Sequence, residues 1–114
     1  MLERGGIYLA NLNPNKGNEP GKVRPVAVIQ SDALNEVEHP TIIILPLSTQ
    51  LVAQSFPLRF RLKARDELRQ DSDILCDQVR AITGARITST KLTRLTIAEL
   101  LQVEEQVRIV LDFS

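Results

Sequence analysis

Residues 41–47 read TIIILPL, a β-branched run that is apolar on both faces. Branching at Cβ favours a pleated sheet over a helix, and a strand apolar on both faces needs cover on both. The run therefore predicts a central, buried strand, with Pro46 marking a bulge or the strand's end. Shorter segments surround it. Residues 6–11, GIYLAN, alternate Ile7 and Leu9 with Tyr8 and Ala10 and predict a strand. Residues 25–30, PVAVIQ, predict another, with Pro25 at the first position, where a strand tolerates proline. Residues 58–63, LRFRLK, place Leu58, Phe60 and Leu62 toward a core and Arg59, Arg61 and Lys63 outward. Residues 73–82 read as one further strand, with Ile74, Cys76 and Val79 inward and a register change near Gln78. Gly84 follows its end, and residues 87–95 give a last strand or an irregular crossing.

Helical signals are fewer. Ser31, Asp32 and Ala33 form a cap and a turn. Thr96 and Glu99 have the spacing of a capping box, after which Leu100, Val103, Val107, Val110 and Leu111 recur at helical intervals. Many short strands and one long helix predict a mainly β fold, a strongly bent sheet or barrel closed by a C-terminal helix. At 114 residues, one domain over 1–114 is expected. No apolar run reaches the ~20 residues of a membrane span, and the N-terminus lacks a secretory pattern. A cytoplasmic protein without a membrane partner is the expectation. The single Cys76 sits in an apolar run and reads as a buried, inert thiol.

The 14 basic and 14 acidic residues cancel, so net charge does not announce a polyanionic partner. Their distribution is uneven. Residues 59–94 carry nine Lys/Arg and five Asp/Glu, whereas residues 96–114 carry four acids and one arginine. A polarised surface follows.

One histidine and one cysteine, far apart, do not make a closed zinc site, and no glycine-rich phosphate loop matches a nucleotide-binding pattern. No cofactor is expected. His39, in EVEHP, reads as a solvated loop residue before a general base. The unusual feature is the segment NLNPNKGNEPGKVR, from residue 11 to 24. Connections in compact domains run about 4–6 residues, so a longer one is disordered or functional. It ends on Arg24, whose backbone Pro25 restricts to extended conformations. Ser48 and Thr49 follow the buried strand, and Glu19 lies within the loop. If the two strands pair, Arg24 and Ser48 meet. A guanidinium beside a hydroxyl suits a phosphate. An arginine capping loop carbonyls, with Ser and Thr as turn residues, fits the spacing as well.

The motifs GGIYLANLNPNKGNEPGKVRPVAVIQ, ILPLSTQ and ILCDQVRAI, in this order and ahead of a C-terminal helix, resemble the MazF/PemK (Kid) toxins of bacterial toxin–antitoxin systems. The resemblance covers nearly the whole chain. It implies an SH3-like barrel, a homodimer, and ribosome-independent, metal-independent cleavage of single-stranded mRNA leading to growth arrest. It implies a MazE-like antitoxin with an acidic, partly disordered tail. The family's essential arginine falls on Arg24 and its essential hydroxyl, usually threonine, on Ser48, with Thr49 adjacent. Its loop glutamate is Glu19, and its loop serine is replaced by Asn18. Lys16, Asn18, Thr49, Asp77, Gln78 and Arg80 become candidate RNA contacts. Glu19 is a candidate base or an orienter of Arg24. Arg59, Arg61 and Lys63 either track an RNA backbone or form a solvated edge that discourages pairing between molecules. Two other classes remain: a toxin that acts on a topoisomerase by contact alone, as CcdB does, and an inactive relative that only binds RNA or antitoxin.

Overall fold

The computed structural model describes residues 2–13 and 22–113. Its strands are β1 (Gly6–Asn11), β2 (Val23–Val28), β3 (Thr41–Ser48), β4 (Arg59–Leu62), β5 (Ser72–Leu75), β6 (Arg80–Thr83) and β7 (Thr93–Arg94). Its helices are α1 (Asp32–Glu36) and α2 (Ile97–Leu111), and a 3-10 turn follows β6. The strands pair antiparallel in the order β4-β5-β3-β2-β1-β7, with β6 beside the first half of β3. The sheet is mainly β, curled, and closed by the C-terminal helix, as the sequence predicts.

β3 is the central strand. β2 takes one edge, while β6 and then β5 take the other. Pro46 neither bulges nor terminates the strand, which continues to Ser48. Ile29 donates to the Ile43 carbonyl, so the backbone groups of Ile43, Leu45 and Leu47 face β2 and those of Pro46 face the opposite edge. There β6 has just ended at Ile44 and β5 begins at Leu47. The donor that proline lacks falls where β3 changes partner.

Alternation along the strands divides the core. Ile7, Ala27, Leu45 and Leu47 pack beneath α2 with Ile74, Cys76 and Val103. Tyr8, Ala10, Val26, Val28 and Ile44 pack on the other side with Leu12, Ile42 and Ile82. The α2 capping box forms as spaced, with Thr96 Oγ1 accepting from Glu99 N–H and Glu99 accepting from Thr96 N–H. Arg65 adds two hydrogen bonds to the same carboxylate, at 2.8 and 2.6 Å.

Several expectations change. β2 begins at Val23 rather than Pro25. Residues 73–82 form two strands, not one, because the chain turns at Cys76–Val79 and re-pairs at Arg80 with a different stretch of β3. Val79 is exposed, as are Leu58 and Leu111. The helix buries Gln106 instead: its amide donates to the carbonyls of Pro57 and Arg59, fastening α2 to the start of β4. Among the described residues no helix is long and apolar enough to cross a membrane.

Candidate functional site

Pro25 opens a gap between β2 and β3. β2 and β3 pair through Val26↔Pro46, and the same register continued sets Pro25 opposite Leu47 and Arg24 opposite Ser48. The Pro25–Leu47 position is a hydrogen-bonding one in the antiparallel alternation, since the Ile29 N–H donates to the Ile43 carbonyl four residues away along each strand. Pro25 has no N–H to give. The Arg24 guanidinium takes that place, donating through Nη1 to the Leu47 carbonyl at 3.2 Å. A side chain thus replaces a missing ladder bond, and the strands part around a cavity of about 450 Å3.

Arg24, Ser48 and Thr49 all line this cavity, with Lys22, Gln50, Arg59 and Ser72. Arg24 is half-buried, and that burial lowers its pKa from the ordinary guanidinium value; an arginine remains charged nonetheless. Ser48 Oγ accepts the Gln50 N–H at 3.2 Å, which leaves its own hydrogen available to a ligand. Thr49 is exposed at the rim. The loop between β1 and β2 departs and returns beside this site. Asn13 Oδ1 accepts the Lys22 N–H at 2.7 Å, Leu12 N–H reaches the Lys22 carbonyl, and Arg86 donates to the carbonyls of Asn11 and Asn13.

One wall rests on a buried carboxylate. Asp73 is 1 % exposed and accepts from Arg61 Nε at 2.6 Å, Val52 N–H at 2.9 Å and Arg59 Nη1 at 3.2 Å. Burial opposes its charge, yet the donations from Arg61, Val52 N–H and Arg59 outweigh burial and hold its pKa below the usual carboxylate range. Arg59 also donates to the Gln50 carbonyl at 2.9 Å.

The expected site residues divide accordingly. Arg24, Ser48 and Thr49 share the cavity. Asp77, Gln78 and Arg80 lie on the turn after β5 and at the start of β6 and do not line it. Lys16, Asn18 and Glu19 lie outside the described residues. The expectation that Arg59 and Arg61 simply face outward needs correction: both ion-pair with Asp73, a residue that strand alternation alone does not single out. An acidic strand residue within reach of alternating arginines is the signal the sequence carries for it. Cys76 is buried, and burial, then the charge of Asp77, push its thiol up to about 12. His39 stays exposed, with Nδ1 near the Thr41 backbone. Among the described residues no three His, Cys, Asp or Glu side chains gather in metal-binding reach.

Comparison with known proteins gives the family and agrees with the fold. Residues 3–111 match the model of the PemK-like, MazF-like toxins of type II toxin–antitoxin systems. Endoribonuclease MazF of Staphylococcus epidermidis is 35 % identical, in an alignment covering 100 % of this chain and 94 % of that protein. The crystal structure of MazF from Deinococcus radiodurans superposes with a TM-score of 0.81 at 21 % identity, covering 98 % of this chain and 97 % of that one. A MazE–MazF crystal structure from the same organism gives 0.76 at 22 % identity, covering 99 % and 97 %.

Proposed function

This chain belongs to the PemK-like, MazF-like toxins of type II toxin–antitoxin systems, and from that premise we propose that it is an endoribonuclease cutting single-stranded RNA at the Arg24–Ser48 cavity. The observation that carries the reading is the Arg24 guanidinium, anchored on the Leu47 carbonyl one residue from the Ser48 hydroxyl.

The reaction uses the RNA's own 2′-hydroxyl as nucleophile. Its oxygen loses its proton and attacks the adjacent phosphorus, the bond to the 5′-oxygen breaks, that oxygen takes up a proton from water, and the products are a 2′,3′-cyclic phosphate and a 5′-hydroxyl. Tethering makes the attack intramolecular, so orientation supplies much of the rate. Charge develops on the non-bridging oxygens, where Arg24 donates as a fixed cation and Ser48 adds a neutral O–H. Arginine is too basic to accept a proton at neutral pH. Glu19 supplies a carboxylate that either takes the 2′-hydroxyl proton or orients Arg24. Thr49 meets the nucleotide at the rim, and Lys16, Asn18, Asp77, Gln78 and Arg80 contact the flanking RNA. The toxin acts as a homodimer silenced by a MazE-like antitoxin; a MazF relative is known in complex with MazE.

The test is cleavage of a long transcript by purified protein in chelator, with the ends mapped. Defined fragments with cyclic-phosphate ends are expected, lost in Arg24→Ala and blocked by a 2′-deoxy nucleotide at the cut. Cleavage that survives the 2′-deoxy substitution refutes the internal nucleophile. Intact RNA with a stalled topoisomerase refutes the nuclease.

A further inference from the structure

We propose that Arg59, held in place by the buried Asp73, forms a second phosphate-binding position in the cleft, which takes a phosphodiester next to the one being cut. This rests on the nuclease reading above and extends it to a pair of residues that reading does not use.

The placement is fixed by register. Arg61, Asp73 and Ser48 are consecutive cross-strand neighbours on β4, β5 and β3, and the β2–β3 register, continued two residues past Val26, sets Arg24 next in the row. Directly opposed residues of antiparallel strands project from the same face. Arg59 lies two residues along β4 from Arg61, on that face, and lines the cavity with Arg24 and Ser48. Arg61 does not line it. The two arginines of β4 therefore differ in role, although their alternation makes them look equivalent.

Arg59 is also restrained. Nη1 donates to Asp73 Oδ2 and to the Gln50 carbonyl, which fixes the guanidinium plane and leaves the rest of its donor fork for a ligand. Holding a long side chain in place before binding removes the entropy cost a flexible cation would meet. The charge of the carboxylate is offset by the two arginines that donate to it, so it does not repel the incoming phosphate strongly. Two guanidinium groups against one carboxylate leave the cluster net positive. Asp73 is accordingly a positioning residue, acting on RNA only through Arg59.

The experiment uses an oligoribonucleotide spanning one mapped cut site, with a 2′-deoxy nucleotide at the cut so that it binds without reacting. Its affinity is measured against salt for wild type, Arg59→Gln, Arg61→Gln, Asp73→Asn and the Arg59→Gln/Asp73→Asn double variant. Each phosphate neutralised on a single strand contributes about −0.7 to the slope of log K against log salt. Arg59→Gln is expected to weaken binding roughly tenfold and to flatten the slope by about 0.7. Arg61→Gln removes the other ion pair of Asp73 and is expected to leave affinity and slope near wild type. Asp73→Asn is expected to weaken binding while Arg59 is present and to add nothing once Arg59 is gone. A purely structural role for the cluster predicts equal effects of Arg59→Gln and Arg61→Gln and overturns the proposal. Should Asp73→Asn fail to fold, the arginine pair alone still decides. Wild type that cuts and binds RNA with an unchanged slope in Arg59→Gln refutes only the second phosphate position. Wild type that neither cuts nor binds refutes the nuclease reading and this one with it.

Discussion

Replacing Pro25 by alanine restores the one backbone donor whose absence opens the cleft. The register places the new amide opposite Leu47, at a hydrogen-bonding position of the β2–β3 ladder. Two effects on stability oppose each other. The alanine chain is freer when unfolded, which destabilises by roughly 0.4–1 kcal/mol. The added backbone hydrogen bond contributes roughly 0.5–1.5 kcal/mol. The net change is expected within about 1 kcal/mol, under roughly 5 °C in Tm for a chain of this size. Activity is not expected to hold. The new amide competes with Arg24 for the Leu47 carbonyl, so the guanidinium loses an anchor worth a hydrogen bond. Converted to rate, roughly 0.5–1.5 kcal/mol is about a 2- to 10-fold fall in kcat/KM for RNA cleavage. The assays on Pro25→Ala are a thermal melt, a cleavage time course and amide hydrogen exchange by NMR. The amide introduced at position 25 is expected to exchange slowly. Fast exchange there with full activity would mean that the register does not continue past Val26 and that Arg24 is not substituting for a ladder bond.

Other perturbations give separate readouts. Glu99→Gln keeps the capping geometry but removes the charge facing Arg65. The hydrogen bond from Arg65 lowers the Glu99 pKa in the folded chain, so this interaction is fully present above the unfolded value of about 4.3 and is lost as pH falls through the lower folded value. Denaturation at pH 7 is expected to show a loss of about 1 kcal/mol that shrinks toward zero in acid; a loss independent of pH contradicts the ion-pair account. Gln106→Ala strands the carbonyls of Pro57 and Arg59 and leaves a void, so urea unfolding is expected to show a loss of roughly 2–3 kcal/mol. A loss below about 0.5 kcal/mol would show that α2 is held without that amide. Cys76, buried and with its thiol pushed up to about 12, is expected to resist thiol reagents in the native protein and react on unfolding. Rapid modification under native conditions would place it at the surface.

What the sequence reveals about this fold depends on how local the cause is. The start of α2 is legible because Thr96 and Glu99 satisfy each other's backbone within three residues. β1 is legible because its alternation needs no knowledge of its partners, and its bounds agree with the expectation at 6–11. The division of residues 73–82 into β5 and β6 is hidden because the turn contains neither glycine nor proline, and the break reflects which part of β3 each half meets. Leu58 reads as core only if β4 extends to it, whereas the strand begins at Arg59. The site shows the same division. Arg24 and Ser48 are identifiable as residue types at strand ends, but their meeting depends on a register set far away, at Ile29 and Ile43. Asp73 carries only a weak signal as a site element, because its partners, Arg59 and Arg61, reach it only once β4 and β5 are aligned.

The same alignment explains how a chain of zero net charge can hold a polyanion. Field strength in a cleft depends on where charges lie, not on their sum. Glu99 is held by Arg65, Glu104 by Arg4, and Asp73 is buried under its own arginines. These carboxylates serve the fold and do not line the cavity, whose described lining holds Lys22, Arg24 and Arg59 and no acid. Cations are thus concentrated where Pro25 parts β2 from β3, while the balancing acids are used to fasten α2 and the wall of the cleft. It follows that RNA affinity should fall steeply with salt even though the whole protein is neutral. A shallow salt dependence would mean that the cavity cations are not the phosphate contacts.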